Sequence, residues 1–182
     1  MPMAVLDACC LIDLLASGRA AEVLQANVYD WLVPIAVVAE TKHERSLDPE
    51  DPAKTINRPV NLQPLLDRKL LQFCQPAPGQ EVARLVQYAA HFRSDGEAMC
   101  LAIAETRGCV LATDDRKAIR LGQQAGLTVV SCPELMKCWA DVSGASANDL
   151  RDALLGIERF AQFRPNPSLP WAEWRHEQLT RG

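Results

Sequence analysis

The feature that most constrains this chain is an alternation. Short apolar runs are each followed by a longer stretch whose apolar residues recur at helical spacing, with glycine or proline between them. Met3-Ala4-Val5-Leu6 is the first run. Leu11, Ile12, Leu14 and Leu15 then predict a helix that Ser17-Gly18 closes, and a second helix follows over Ala20 to Ala26. Trp31-Leu32-Val33 predicts a strand. Pro34 can open the next helix, since proline is tolerated in a first turn; that helix is expected from Ile35 to Arg45 with Glu40 in its interior.

Asp48 to Pro59, with Pro49, Pro52 and Pro59 among charged residues, reads as an exposed loop. Leu62 to Leu71 reads as a short helix passing into a strand at Leu70 to Phe73. Glu81 to Phe92 reads as a helix with Val82, Leu85, Val86 and Ala89 on one face. A further helix starts at Ser94-Asp95-Gly96-Glu97 and stops at Gly108. Cys109 to Ala112 is a strand, Asp115 to Ala125 a helix ended by Gly126, Leu127 to Val130 a strand, and Pro133 to Trp139 a helix. Short strands alternating with helices argue for an α/β fold, a three-layer α/β/α arrangement around a central parallel sheet. The boundary is expected near residue 140. Residues 141–182 form a C-terminal helical extension, with an amphipathic helix over Asn148 to Phe163 and a break at Pro165, Pro167 and Pro170 before Trp171-Ala172-Glu173-Trp174.

The chain has 182 residues, 48% of them apolar, which suffices for one domain with a substantial core and an appendage. Its formal charge of −4 gives no global basic footprint of the kind many nucleic-acid binders carry. The seven cysteines include no C-x-x-C pair and lie mostly in apolar stretches. They read as buried free thiols, with a metal role or disulfides as the alternatives. No run approaches the ~18–20 apolar residues of a membrane span, and the start shows no basic segment leading into a signal core. A cytoplasmic protein with no membrane association is expected.

Four acids stand where a parallel sheet would bring them together: Asp7 after the first strand, Glu40, Glu97, and Asp115 after Thr113-Asp114. Ligands of open α/β sheets bind beyond the carboxyl ends of the strands. Carboxylates sharing a cleft repel one another unless a cation lies between them, and an all-oxygen set suits Mg²⁺ or Mn²⁺. Each acid also has a structural reading. Asp7 suits an N-cap, and Glu40 suits a solvated helix position. Glu97 suits a capping box with Ser94, and Thr113 or Asp114 suits the cap of the helix that Asp115 enters. Asp95 suits the helix dipole, and Asp13, more than a turn beyond Asp7, suits a peripheral or structural role.

Taken in order, Val5-Leu6-Asp7-Ala8-Cys9-Cys10-Leu11-Ile12-Asp13-Leu14-Leu15, Val37-Val38-Ala39-Glu40, Gly96-Glu97-Ala98 leading to Ala102-Ile103-Ala104, and Leu111-Ala112-Thr113-Asp114-Asp115-Arg116-Lys117 resemble the motifs of PIN-domain nucleases. The small toxin ribonucleases of bacterial toxin–antitoxin pairs are the most similar members. The resemblance spans residues 3–136. It implies a PIN-like, Rossmann-like fold and a metal-dependent ribonuclease. Asp7, Glu40, Glu97 and Asp115 would be its metal-holding and catalytic acids, with Thr113, Asp114, Asp95 and Asp13 as supporting polar neighbours. It implies Mg²⁺ or Mn²⁺ as cofactor and RNA as substrate. For a toxin it also implies an antitoxin partner, with the tail serving a homodimer or that complex. Where family members often carry Ser, Thr or Asn after the first acid, this chain has Ala8-Cys9-Cys10. That departure, with the acidic charge, leaves a second reading: a PIN-like module of weak activity that works by binding RNA or a protein. Arg116, Lys117 and Arg120 on the helix after the last acid, with Lys42, are the candidate phosphate contacts; Arg45 and Arg93 are further cations. A Rossmann-type nucleotide binder finds little support, because no G-x-G-x-x-G or Walker loop follows the first strand.

Overall fold

The computed structural model describes residues 1–48, 50–51, 53–163 and 171–180. In chain order its elements are β1 (Met3–Leu6), α1 (Ala8–Ala16), α2 (Ala20–Ala26), β2 (Asp30–Pro34), α3 (Ile35–Glu40), β3 (His43–Leu47), β4 (Thr55–Pro59), α4 (Gln63–Asp67), β5 (Gln72–Cys74), α5 (Gln80–Ala89), α6 (Asp95–Arg107), β6 (Val110–Ala112), α7 (Arg116–Gln124), β7 (Val129–Val130), α8 (Cys132–Ser143), α9 (Ala147–Gly156) with a π-helical segment Ile157–Ala161, and α10 (Ala172–Thr180). Among the described residues no helix is long and apolar enough to cross a membrane.

β1 is the centre of a five-stranded sheet in the order β5-β2-β1-β6-β7, with every pair parallel. Helices flank the sheet, giving the expected three-layer α/β/α fold with C-terminal helices. A parallel strand covered on both faces needs apolar side chains in both directions. Ala4, Val5 and Leu6 of β1, and Leu111 and Ala112 of β6, are fully buried. α6 is the buried central helix: eight of its residues, from Gly96 to Ala104, are in the core. Gly108 ends it in the left-handed region at φ 64°, which glycine enters without a Cβ penalty.

The chain winds outward from β1 to β2 and β5, then returns past β1 to β6 and β7. The strand order therefore reverses between β1 and β6, and the crevice at such a reversal is where an open α/β sheet takes its ligand. The ladder closes there: the Asp7 amide donates to the Ala112 carbonyl at 3.0 Å, one residue beyond the β1–β6 register.

Three expectations need correction. The third helix ends at Glu40, not Arg45, because Thr41 folds back: its amide and its hydroxyl both donate to the Val37 carbonyl, at 2.9 and 2.8 Å. Residues 43–47 and 55–59 then pair antiparallel, from His43 opposite Pro59 to Leu47 opposite Thr55, so the expected Asp48–Pro59 loop is largely one arm and the turn of a hairpin. Pro49 and Pro52 lie outside the described residues, as does the break at Pro165, Pro167 and Pro170. Finally, α5 does not bury its valines. Val82 is 43% and Val86 67% exposed, while Glu81 faces inward. The reason is an ion pair: Arg107 of α6 grips Glu81 through Nε and Nη2, both at 2.9 Å, and Ala77 N adds a bond at 2.6 Å. The expected boundary at residue 140 falls within α8, and the π segment packs against α1.

Candidate functional site

Asp7 is the first residue beyond β1, in extended backbone at the head of α1. Its Oδ1 accepts from the Ala8 amide at 2.7 Å, and its Oδ2 from the Thr113 hydroxyl at 2.7 Å and the Cys9 thiol at 3.4 Å. It is only 2% exposed. Burial pushes its carboxyl above the ordinary carboxylate value, against the hydrogen bonds from Thr113, Ala8 and Cys9, and the negative charge of Glu97 pushes it further.

Thr113 is fully buried and works in both directions. Its hydroxyl donates to Asp7 and accepts from the Asp115 amide at 3.2 Å. Asp115 itself is the N-cap of α7, where sequence reasoning offered Thr113 or Asp114: its Oδ1 accepts from Lys117 N at 2.9 Å and Ala118 N at 2.8 Å.

Glu40 ends α3 and is exposed, not interior. Its carboxylate reaches the N-terminus of α6, where Oε1 accepts from the Gly96 amide at 3.0 Å. A side chain at Gly96 would displace Glu40, since its Cβ would lie 2.5 Å from Glu40 Oε2. The expected Ser94–Glu97 capping box changes accordingly. With Glu40 on the helix amide, Ser94 makes no side-chain cap bond, and its hydroxyl instead donates to the Glu97 carboxylate. Asp95 is exposed at the first position of α6.

The four acids thus share the carboxyl edge of β1, β2 and β6, linked through Thr113, through Gly96 and through the charge of Glu97 on Asp7. They do not form a compact donor set. Each carboxylate is already committed to protein donors: Asp7 to Ala8 and Thr113, Glu40 to Gly96 of α6, Glu97 to Ser94, and Asp115 to Lys117 and Ala118.

Among the described residues, the trio of ligand-capable side chains whose donor atoms all lie within 4.8 Å of one another is instead Asp13, Asp114 and Cys132. Asp114 turns away from Thr113 and Asp115 into the core, where its Oδ2 accepts from Cys132 N at 3.0 Å and Cys10 Sγ at 3.2 Å. Burial pushes its carboxyl up to about 6. Of the two roles expected for Asp13, peripheral or structural, its 3% exposure excludes the peripheral one; burial, then the charge of Asp114, pushes its carboxyl up to about 8 against the opposing pull of Arg175 and Cys132. The signal in the sequence was Cys10-x-x-Asp13: one helical turn puts an acid on the face that also buries Cys10, Leu11 and Leu14.

Of the candidate cations, Arg116, Lys117 and Arg120 are exposed along α7, and Lys42 is exposed beside α3. Lys117 is held: its ammonium donates to the His91 carbonyl and lies 5.3 Å from the centre of the Phe92 ring. All seven cysteines are free thiols.

A scan against models of known protein families finds no match to the chain, and a search of curated proteins returns no similar one.

Proposed function

We propose that this chain is a metal-dependent ribonuclease of PIN type, hydrolysing phosphodiesters at the carboxyl edge of its sheet. The observation that carries the reading is the Asp7–Thr113–Asp115 link at the reversal of strand order, with the charge of Glu97 bearing on a buried Asp7. A desolvated carboxylate pressed by a second acid is a fit for a divalent cation, and the donors on offer are all oxygen, which suits Mg²⁺ or Mn²⁺. Asp7, Glu97 and Asp115 would hold the ion, with Glu40 beside them. Bound there, the metal would supply an activated water and charge neutralisation on the phosphate. The chain's own residues do the rest. Thr113 fixes the orientation of Asp7 by its donated bond, and Gly96 leaves room for Glu40 against α6. Arg116 and Arg120, with Lys42, would take phosphates in a salt-dependent, sequence-blind manner.

The test is cleavage of single-stranded RNA by the purified chain with Mn²⁺. Loss of an outer partner of a metal ligand typically costs ~10–100-fold, so Asp7→Asn and Asp115→Asn should each cost more than about 100-fold. Asp7→Asn should at the same time leave the thermal midpoint unchanged or raise it, because a neutral amide is cheaper to bury than the carboxylate. Undiminished cleavage in Asp7→Asn ends the proposal. The module that binds without cutting is favoured by one observation: Cys9, a weak donor, holds Asp7 where the resemblance leads one to expect a hydroxyl. It predicts RNA or protein binding with no cleavage in the same assay. The toxin role, an antitoxin, a homodimer and a cytoplasmic location belong to the nuclease reading and stand with it.

A further inference from the structure

Behind the carboxyl edge, three elements meet at one buried point. α1 turns Asp13 inward, the loop after β6 turns Asp114 inward, and α8 begins with Cys132 directly after its Ser131 cap. Asp13 Oδ2 and Asp114 Oδ1 are both buried without a hydrogen-bond partner. Native cores leave few polar atoms in that condition, and an unpaired buried carboxylate is among the costliest groups to bury. The nearby guanidinium does not cure it: Arg175, itself buried, gives Nη2 to Glu158 at 3.3 Å, and its Nε is a third buried atom without a hydrogen-bond partner. We propose that Asp13, Asp114 and Cys132 are the ligands of a buried structural Zn²⁺ site that fastens α1, the loop after β6 and the N-terminus of α8 together.

The donor chemistry selects the ion. Mg²⁺ and Ca²⁺ take oxygen ligands and have no use for a thiolate, whereas Zn²⁺ accepts sulfur and carboxylate oxygen in one tetrahedral set. The donor atoms lie within 4.8 Å of one another. Zn–S of ~2.3 Å and Zn–O of ~2.0 Å place tetrahedral ligands roughly 3.3–3.5 Å apart, so side-chain rotation must close at most about 1.5 Å. Cys10, whose thiol donates to Asp114 Oδ2 at 3.2 Å, borders the trio without belonging to it. Two carboxylates and a thiolate overbalance a divalent ion by a single negative charge, and Arg175, whose positive charge bears on Asp13, offsets it. A site with no counterpart in the unfolded chain is filled as the protein folds. This site does not depend on the nuclease reading, because none of its ligands belongs to the Asp7, Glu40, Glu97 and Asp115 set.

The test uses the full chain folded in the presence of Zn²⁺, dialysed and analysed for bound metal, and in parallel the same chain loaded with Co²⁺ as a spectroscopic probe. One equivalent of zinc per chain is expected, with a near-ultraviolet thiolate-to-cobalt charge-transfer band for the Co²⁺ form. Cys132→Ser should lose the band, and zinc should bind more than about 100-fold more weakly to it. Asp13→Asn, a near-isosteric change that does not touch the sulfur, should weaken zinc comparably and decides the matter if Cys132→Ser does not fold. Cys138→Ser, outside the cluster, should change neither readout. Substoichiometric zinc in the folded chain overturns the proposal, as does a charge-transfer band that persists in Cys132→Ser. Manganese held by the carboxyl-edge acids would give no thiolate band, so this proposal and the nuclease reading fail separately.

Discussion

Replacing Gly96 by alanine presses a methyl group onto the Glu40 carboxylate, and the consequence can be worked through. The new Cβ would sit 2.5 Å from Oε2 and 2.9 Å from both Cδ and Oε1. Glu40 is an exposed, flexible side chain, so it yields rather than the helix, and the 3.0 Å bond from the Gly96 amide is lost. A hydrogen bond to a charged group contributes about 1.5–3 kcal/mol, and exposure argues for the low end, ~1.5 kcal/mol. Alanine returns about 1 kcal/mol of helix propensity. Gly96→Ala should therefore destabilise the native chain by about 0.5 kcal/mol. In a Glu40→Ala background only the propensity gain remains, and the same change should stabilise by about 1 kcal/mol. The coupling of about 1.5 kcal/mol is a double-mutant cycle read from urea unfolding, with unchanged m-values as the control. An equal effect of Gly96→Ala in both backgrounds would refute the contact between Glu40 and α6, and with it the means by which Glu40 is held at the site.

Gly156→Ala meets a harder wall. Its Cβ would lie 2.5 Å from the Ala16 carbonyl oxygen, a backbone atom that cannot swing aside. It should cost about 1–3 kcal/mol, net of the helical preference for alanine, and lower Tm by several degrees; an unchanged or higher Tm would show that the end of α9 does not press on α1. For the Glu81–Arg107 pair, Arg107 is the main reason that the Glu81 carboxyl titrates below its ordinary 4.5. The folded value is depressed, so the stabilisation is complete above the unfolded value and is lost as pH falls through the folded one. Glu81→Gln should cost about 1–2 kcal/mol at neutral pH and flatten the acid limb of Tm against pH. An acid limb identical to that of the native chain would mean that the pair is not what titrates.

Apolar runs of strand length between helical periodicities were enough to specify the parallel α/β sheet, because each strand of such a sheet is buried on both faces and must carry that burial in its own residues. Gly108 and Pro34 likewise marked helix boundaries through properties of single residues. The candidate acids were legible for the same reason, since Asp7 and Asp115 directly follow strands or their loops. What only the tertiary structure decided were the pairings between elements. Periodicity grouped Val82 and Val86 of α5 on one apolar face, but both are exposed, and the side chain held inward is Glu81, bonded to Arg107 of another helix. Residues 43–45 read as the end of a helix and 48–59 as a loop, yet 43–47 and 55–59 paired as a hairpin. Asp13 read as peripheral or structural, and its partners Asp114 and Cys132 came beside it from segments more than a hundred residues on. A local pattern records how much of a residue is buried, whereas its partner is fixed only when distant segments pack, and charge, hydrogen bonding and metal chemistry all depend on the partner.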